Sequence, residues 1–196
     1  MIDKRSTLKK YIKAELYRYA TDISLRAFLR CWFIPGFRFT FWLRICQYRM
    51  TKRIWGVAYI VSRFMVRHYS FKYGIYIHPQ TEIGYGLYIG HCGGIVVNPG
   101  CKIGNNVNLS PGILLGQAYK KDGTCFGFPI VGDRVFLANS AKVVGDVHIG
   151  NDAVVGINSV VLSDIEDNAV AVGQPAVVKS HKGSSMYLGS YLNEIE

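Results

Sequence analysis

The chain has no run of ~20 uninterrupted apolar residues, the length a membrane-spanning helix needs. Arg38, Arg44 and Arg63 cut the apolar stretches that come nearest. The opening MIDKRSTLKKYIKAELYRYA lacks the apolar h-region of a secretory signal. Cysteine is sparse: Cys31, Cys46, Cys92, Cys101 and Cys125 form no C-x-x-C pair and no zinc-like spacing. An odd number of cysteines and no signal lead to the expectation of reduced thiols in the cytoplasm. Acid is scarce in the first 70 residues, where Asp3, Glu15 and Asp22 face 15 Lys and Arg, a net of +12. Residues 71–196 hold eight basic and ten acidic residues, a net of −2. The whole positive excess of this 196-residue chain therefore precedes residue 71.

What is present is a period of six. An aliphatic residue returns at Ile77, Ile83 and Ile89, then at Val97, Ile103, Leu109 and Leu115. It returns again at Val131, Leu137, Val143, Ile149, Val155 and Val161. Six matches neither an amphipathic helix nor an alternating strand. It fits a chain that turns a corner every six residues and points one aliphatic side chain inward per flat face. Three faces close one coil, and each coil buries its core by stacking on the next. Two interruptions break the register. Ile89 to Val97 spans eight residues, with the excess at His91-Cys92-Gly93-Gly94, and Leu115 to Val131 spans sixteen, extruding a loop at 117–129. Departures from a regular scaffold are where sites are expected.

Before the repeats, helices are expected over 1–20, 23–30, 37–50 and 53–69, with a break at Thr21-Asp22 and a turn at Pro35-Gly36. Two readings of this aromatic and basic segment stand side by side. It can pack as a cap on the first coil with its arginines solvated. It can also be an interfacial platform, with Trp32, Phe33, Phe41, Trp42 and Trp55 entering an anionic headgroup boundary. No nucleic-acid reader motif accompanies the charge, so nucleic acid is not expected as a partner.

The motifs Ile77-His78-Pro79, Gly90-His91-Cys92-Gly93-Gly94-Ile95-Val96-Val97, Ser140-Ala141-Lys142, Ser159-Val160-Val161 and Gly173-Gln174-Pro175-Ala176 carry a resemblance. From 74 to 179 the chain resembles the hexapeptide-repeat acyltransferases, in particular the serine acetyltransferase branch and its polysaccharide O-acetyltransferase relatives. The resemblance implies a mainly β fold, a left-handed parallel β-helix of about five coils behind an N-terminal α-helical domain. The expected division is helices over 1–70, β-helix over 71–179 and a C-terminal tail over 180–196. It further implies a homotrimer with acetyl-CoA as donor and no metal.

His91 is the candidate general base: an imidazole can take the proton of an acceptor hydroxyl as it attacks a thioester. The adjoining Gly-rich turn could offer backbone N–H groups to the oxyanion. Cys92 is a poor nucleophile candidate, because neighbours on an extended chain point in opposite directions. The resemblance carries cofactor contacts onto Gly116, Gln117, Tyr119, Lys120, Asn139, Ala141, Ile157, Asn158 and Lys179. Lys121 and Lys142 are further cations suited to phosphates.

For the acceptor, Tyr76, His78, Tyr88 and Phe128 are the candidate substrate contacts. Serine acetyltransferases place an Asp before the Ile-His-Pro triplet, an Asp before the catalytic His, and an Arg-His pair at the end of the loop. Here those positions hold Tyr76, Gly90 and Gly127-Phe128, and Glu82 is the acid nearest to Tyr76 in sequence. A free amino acid needs charged partners when it leaves water. The sequence therefore leads to the expectation of a sugar or lipid-linked saccharide acceptor in capsule, exopolysaccharide or lipopolysaccharide assembly, with the enzyme cytoplasmic or peripheral on the inner face of the plasma membrane. Serine O-acetylation for cysteine biosynthesis is the alternative, and a non-catalytic β-helical scaffold is a third reading.

Overall fold

The computed structural model describes residues 2, 4–51 and 56–192. Four helices come first: α1 (Arg5–Ala20), α2 (Leu25–Cys31), α3 (Pro35–Thr51) and α4 (Val57–Tyr73). Thr21 stops α1 in a left-handed conformation (φ 54°), donating its N–H to the Tyr17 carbonyl. Ser24 then caps α2, its hydroxyl accepting the Ala27 N–H at 3.2 Å. Pro35 and Gly36 do not form the expected turn; they open α3. Proline suits a first helical turn, whose N–H groups have no partner in any case. Gly36 is needed there, because a Cβ would lie 2.0 Å from the Ile89 carbonyl oxygen of the first coil. α4 outlasts the expected boundary at residue 70 and ends at Gly74 (φ 62°).

The aromatic residues of this cap turn on one another. Phe28, Trp32, Phe37, Phe41 and Trp42 form a chain of ring contacts at 5.2–6.5 Å. Trp32, Phe41 and Trp42 are thus half-buried within the cap rather than standing out toward a headgroup boundary. Phe33 is exposed, and Trp55 lies outside the described residues. No helix among the described residues is long and apolar enough to cross a membrane.

The arginines also depart from expectation. Arg44 is fully buried, not solvated. Its Nε donates to Glu15 at 2.7 Å, and its other nitrogens donate to the Gln47 side chain (2.9 Å) and to the carbonyls of Ile83 (3.0 Å) and Gly84 (2.5 Å). Burial holds the Glu15 carboxyl above its usual range, and the Arg44 charge opposes that shift. One guanidinium thus joins α1, α3 and the first coil. Arg38 is half-buried and donates to the Trp32 carbonyl and the Tyr73 hydroxyl.

After Gly74 the chain coils. The strands are β1 (Ile75–Ile77), β2 (Glu82–Ile83), β3 (Ile95–Val97), β4 (Lys102–Ile103), β5 (Asn108–Leu109), β6 (Leu114–Gly116), β7 (Ile130–Val131), β8 (Phe136–Leu137), β9 (Lys142–Val144), β10 (His148–Ile149), β11 (Val154–Val155), β12 (Val160–Val161), β13 (Val170–Gly173) and β14 (Ala176–Ser180). They stack into three sheets. The first face is β1-β3-β6-β9-β12, the second β2-β4-β7-β10, and the third β5-β8-β11-β13-β14. Every pair is parallel except β13–β14. The architecture is the expected left-handed parallel β-helix with a helical N-terminal region. Each aliphatic residue of the six-residue period is buried, none more than 7% exposed.

The corners are built from side chains that replace a strand's missing neighbour. At the edge between the second and third faces, Asn105, Asp133, Asn151 and Asp167 form a ladder. Each side-chain oxygen accepts the N–H of Tyr85, Asn105, Asp133 or Asn151 in the coil before it, at 2.7–3.1 Å. The outward residues differ by face. The first face presents the row Tyr76, Val96, Leu114, Lys142 and Val160, and the second Glu82, Lys102, Ile130 and His148. The third is covered by the chain's own tail, which includes α5 (Ser185–Leu188). There Tyr187 packs on Phe136 with ring centres 5.2 Å apart, and Leu188 is buried.

Candidate active site

His91 sits in the first register break, where the chain passes from the third face back to the first. Its side chain is exposed and has no hydrogen bond or ion pair among the described residues. Behind it, Gly93 (φ 119°) and Gly94 (φ 65°) adopt conformations that a side chain would strain. Their N–H groups have no acceptor among the described residues, while the Gly93 carbonyl accepts the Gly112 N–H at 2.8 Å. A base and two free amides on one turn can accept a proton and face a developing oxyanion.

The cap fixes the strand leading into this turn. The Tyr19 hydroxyl donates to the Ile89 carbonyl (3.1 Å) and accepts the Ile89 N–H (2.9 Å). Burial raises the pKa of that phenol well above its ordinary value. Cys92 is half-buried against the core, and burial pushes its thiol pKa up. A raised pKa keeps the thiol protonated, so it is poorly suited to attack.

The same edge of the prism continues past His91. Pro111-Gly112, Asn139-Ser140 and Ile157-Asn158 stack along it, the Ser140 N–H donating to Pro111 and the Asn158 N–H to Asn139. Asn139, Ile157 and Asn158 are exposed there, and Lys179 is exposed on β14. Ala141 is fully buried, and both its backbone groups are taken, by Ala138 and Leu114. Lys142 is not a free cation: its ammonium donates to the carbonyls of Gly112 (2.8 Å) and Ser140 (2.9 Å).

The extruded loop leaves from the opposite end of the first face. Gly116 ends β6, and the Gln117 side chain accepts from Asn98 at 3.3 Å and bonds to the Tyr119 hydroxyl. Tyr119 and Lys120 are exposed. Phe128 packs against Gly100, at the corner after β3. One protomer therefore does not bring Phe128 to His91, which precedes β3. Tyr88 is also drawn away from an acceptor role. Its ring packs against Tyr19 (4.6 Å) and under the Arg18 guanidinium (5.4 Å). Glu82 is no substitute for a carboxylate beside His91: it lies on the second face, 3.9 Å from Lys102.

Tyr76 and His78 do meet, in a groove of about 520 Å³ between α4 and β1. Tyr76 is 62% exposed. The His78 Nδ1 accepts the Gln80 N–H at 3.2 Å, and burial, with Arg63 adding to it, lowers its pKa. The groove also contains Arg63 and Arg67. The sequence reading missed both, treating Arg63 only as an interruption of an apolar run. Among the described residues no group of His, Cys, Asp and Glu could hold a metal ion.

No family model matches the chain. Curated relatives do. A serine acetyltransferase of Staphylococcus xylosus is 33% identical over 142 residues, 72% of this chain and 63% of the relative. One of Helicobacter pylori is 38% identical over 118 residues, 60% of this chain and 68% of the relative. The chain thus spans about two thirds or less of the curated relatives' length. Among solved structures, a Neisseria gonorrhoeae serine acetyltransferase in complex with serine superposes with a TM-score of 0.73 at 26% identity. That match covers 90% of this chain and 70% of the other. These relatives overturn the expected sugar acceptor and the polysaccharide branch of the resemblance. That expectation weighed only the loop and the residues before His78 and His91, and took no account of the charges on α4.

Proposed function

The chain belongs to the serine acetyltransferase family of hexapeptide-repeat acyltransferases, and from that membership we propose that it transfers the acetyl group of acetyl-CoA to the hydroxyl of serine. The observation that carries the reading is the His91 turn: an exposed imidazole followed by two amides, all without a partner among the described residues. His91 Nε2 or Nδ1 removes the hydroxyl proton as that oxygen bonds to the thioester carbon. The N–H groups of Gly93 and Gly94 face the oxyanion. The C–S bond then breaks, and the imidazolium returns its proton to the departing thiolate. Asn139, Ile157 and Asn158, aligned on the His91 edge, suit an elongated donor lying along the coils, with Lys179 at the end.

Gly116, Gln117, Tyr119, Lys120 and Phe128 stand at the far edge of the first face. We place them at the same site through assembly: three copies meeting through their first faces would bring one copy's loop toward a neighbour's His91. The apolar outward residues Val96, Leu114 and Val160 support that packing. The test is purified protein with acetyl-CoA and serine, read as thiol release. His91→Ala should melt with the parent and lose roughly two to four orders of magnitude in turnover. No release with serine, or near-parental turnover in the folded variant, refutes the assignment.

A further inference from the structure

Serine reaches the site as a zwitterion, and its carboxylate needs a cationic partner once water is removed. The loop offers none at its end, where Gly127 and Phe128 precede Pro129. The groove between α4 and β1 does. Arg63 and Arg67 lie one helical turn apart on α4, on the same side of the helix. Both are exposed, and neither has a carboxylate partner among the described residues. The surroundings supply none either: no Asp or Glu occurs from Ile23 to Thr81. The opposite wall is β1 with Tyr76, and His78 just after it. β1 starts beside the His91 turn, where a Cβ at Gly74 would lie 3.2–3.3 Å from Gly94 and Gly93. The groove runs from Tyr76 away from that turn to His78 and Pro79, at the end of the first face from which the loop leaves. The assembly that brings the loop toward a neighbour's His91 brings this groove with it.

We propose that Arg63 and Arg67 hold the carboxylate of the acceptor amino acid in this groove and so set acceptor specificity; the proposal rests on the serine reading above. Two guanidiniums on one helix face can each donate to a carboxylate oxygen. Neutral His78, with its Nδ1 occupied by Gln80, keeps an Nε2–H donor for the same anion. The acceptor's ammonium finds the exposed rings of Phe64 and Tyr76. The groove's volume lies within the ordinary range for small-molecule sites.

The test is the pair Arg63→Gln and Arg67→Gln, singly and together, because glutamine keeps helix propensity at exposed positions. Each single variant should raise the KM for serine by about 10- to 100-fold, as for the loss of a charge-assisted hydrogen bond. kcat and the KM for acetyl-CoA should stay within a few-fold. Serinamide, which has no carboxylate, should be a poor substrate for the parent and equally poor for the variants. Serine binding is also measured directly by calorimetry, independent of turnover. Binding by the parent that is lost in the double variant supports the proposal, even if thiol release shows that serine is not the acetylated species. An unchanged KM for serine, a rise in the KM for acetyl-CoA instead, or serine binding absent from the parent or retained by the double variant overturns it.

Discussion

Replacing Arg44 by methionine tests how the cap is joined to the coils. The substitution leaves the Glu15 carboxylate buried without its cation, and leaves the Ile83 and Gly84 carbonyls without their donor. Breaking a buried pair by removing one partner costs about 3–5 kcal/mol. For a chain of this size each kcal/mol shifts Tm by ~2–4 °C, so Arg44→Met should melt ~6–20 °C lower. Glu15→Leu with Arg44→Met removes the stranded charge but not the orphaned carbonyls. The double variant should therefore recover only part of the loss. The pH dependence has a definite sign. Glu15 already has a raised pKa in the folded protein, and losing Arg44 removes the influence that lowers it. The protonated form's contribution is complete below the unfolded value of ~4.3 and is lost as pH rises through the folded value. The deficit of Arg44→Met should therefore shrink from pH 8 toward pH 5. Thermal melts followed by circular dichroism across that range provide the assay. A variant that melts with the parent at pH 8, or a deficit that does not depend on pH, would refute the reasoning.

Tyr19→Phe removes both hydrogen bonds to Ile89, two residues before His91. It should cost about 1–3 kcal/mol of stability and lower kcat more than it raises the KM for serine, which steady-state kinetics and melts would show. A parental kcat in a destabilised variant would separate the strand from the chemistry. Light scattering should give a trimer, since one protomer leaves Phe128 and His91 at opposite ends of the first face. A monomer with full activity would sink that assembly.

The coils were legible in the sequence because their inward positions obey one rule. Ile77 through Val161 each point to the axis, and a six-residue count finds them without knowledge of any neighbour. His91 was legible for the same reason, as a break in that count. The cap was not, because its contacts are long-range. Nothing local in FWLRICQ shows that Arg44 meets Glu15, 29 residues earlier in the chain. Tyr88 reads as an outward coil residue until α1 is laid over it. Lys142 reads as a corner cation until the Gly112 carbonyl appears beside it. Arg63 and Arg67 became a possible site only when α4 lay alongside β1. The missing acid of residues 23–81 was the available signal, and it was read only as net charge.

The antiparallel pairing of β13 with β14 has a consequence for growth by polymerisation. A stack of parallel coils offers at each end a template on which another copy's coil could continue, as fibrils extend. The helical cap occupies the first end. At the other, β14 runs back along β13, so the last strand of the third face points the wrong way for a further coil. On that face a second copy arriving end-on meets a strand of reversed polarity instead of the next rung of a parallel stack.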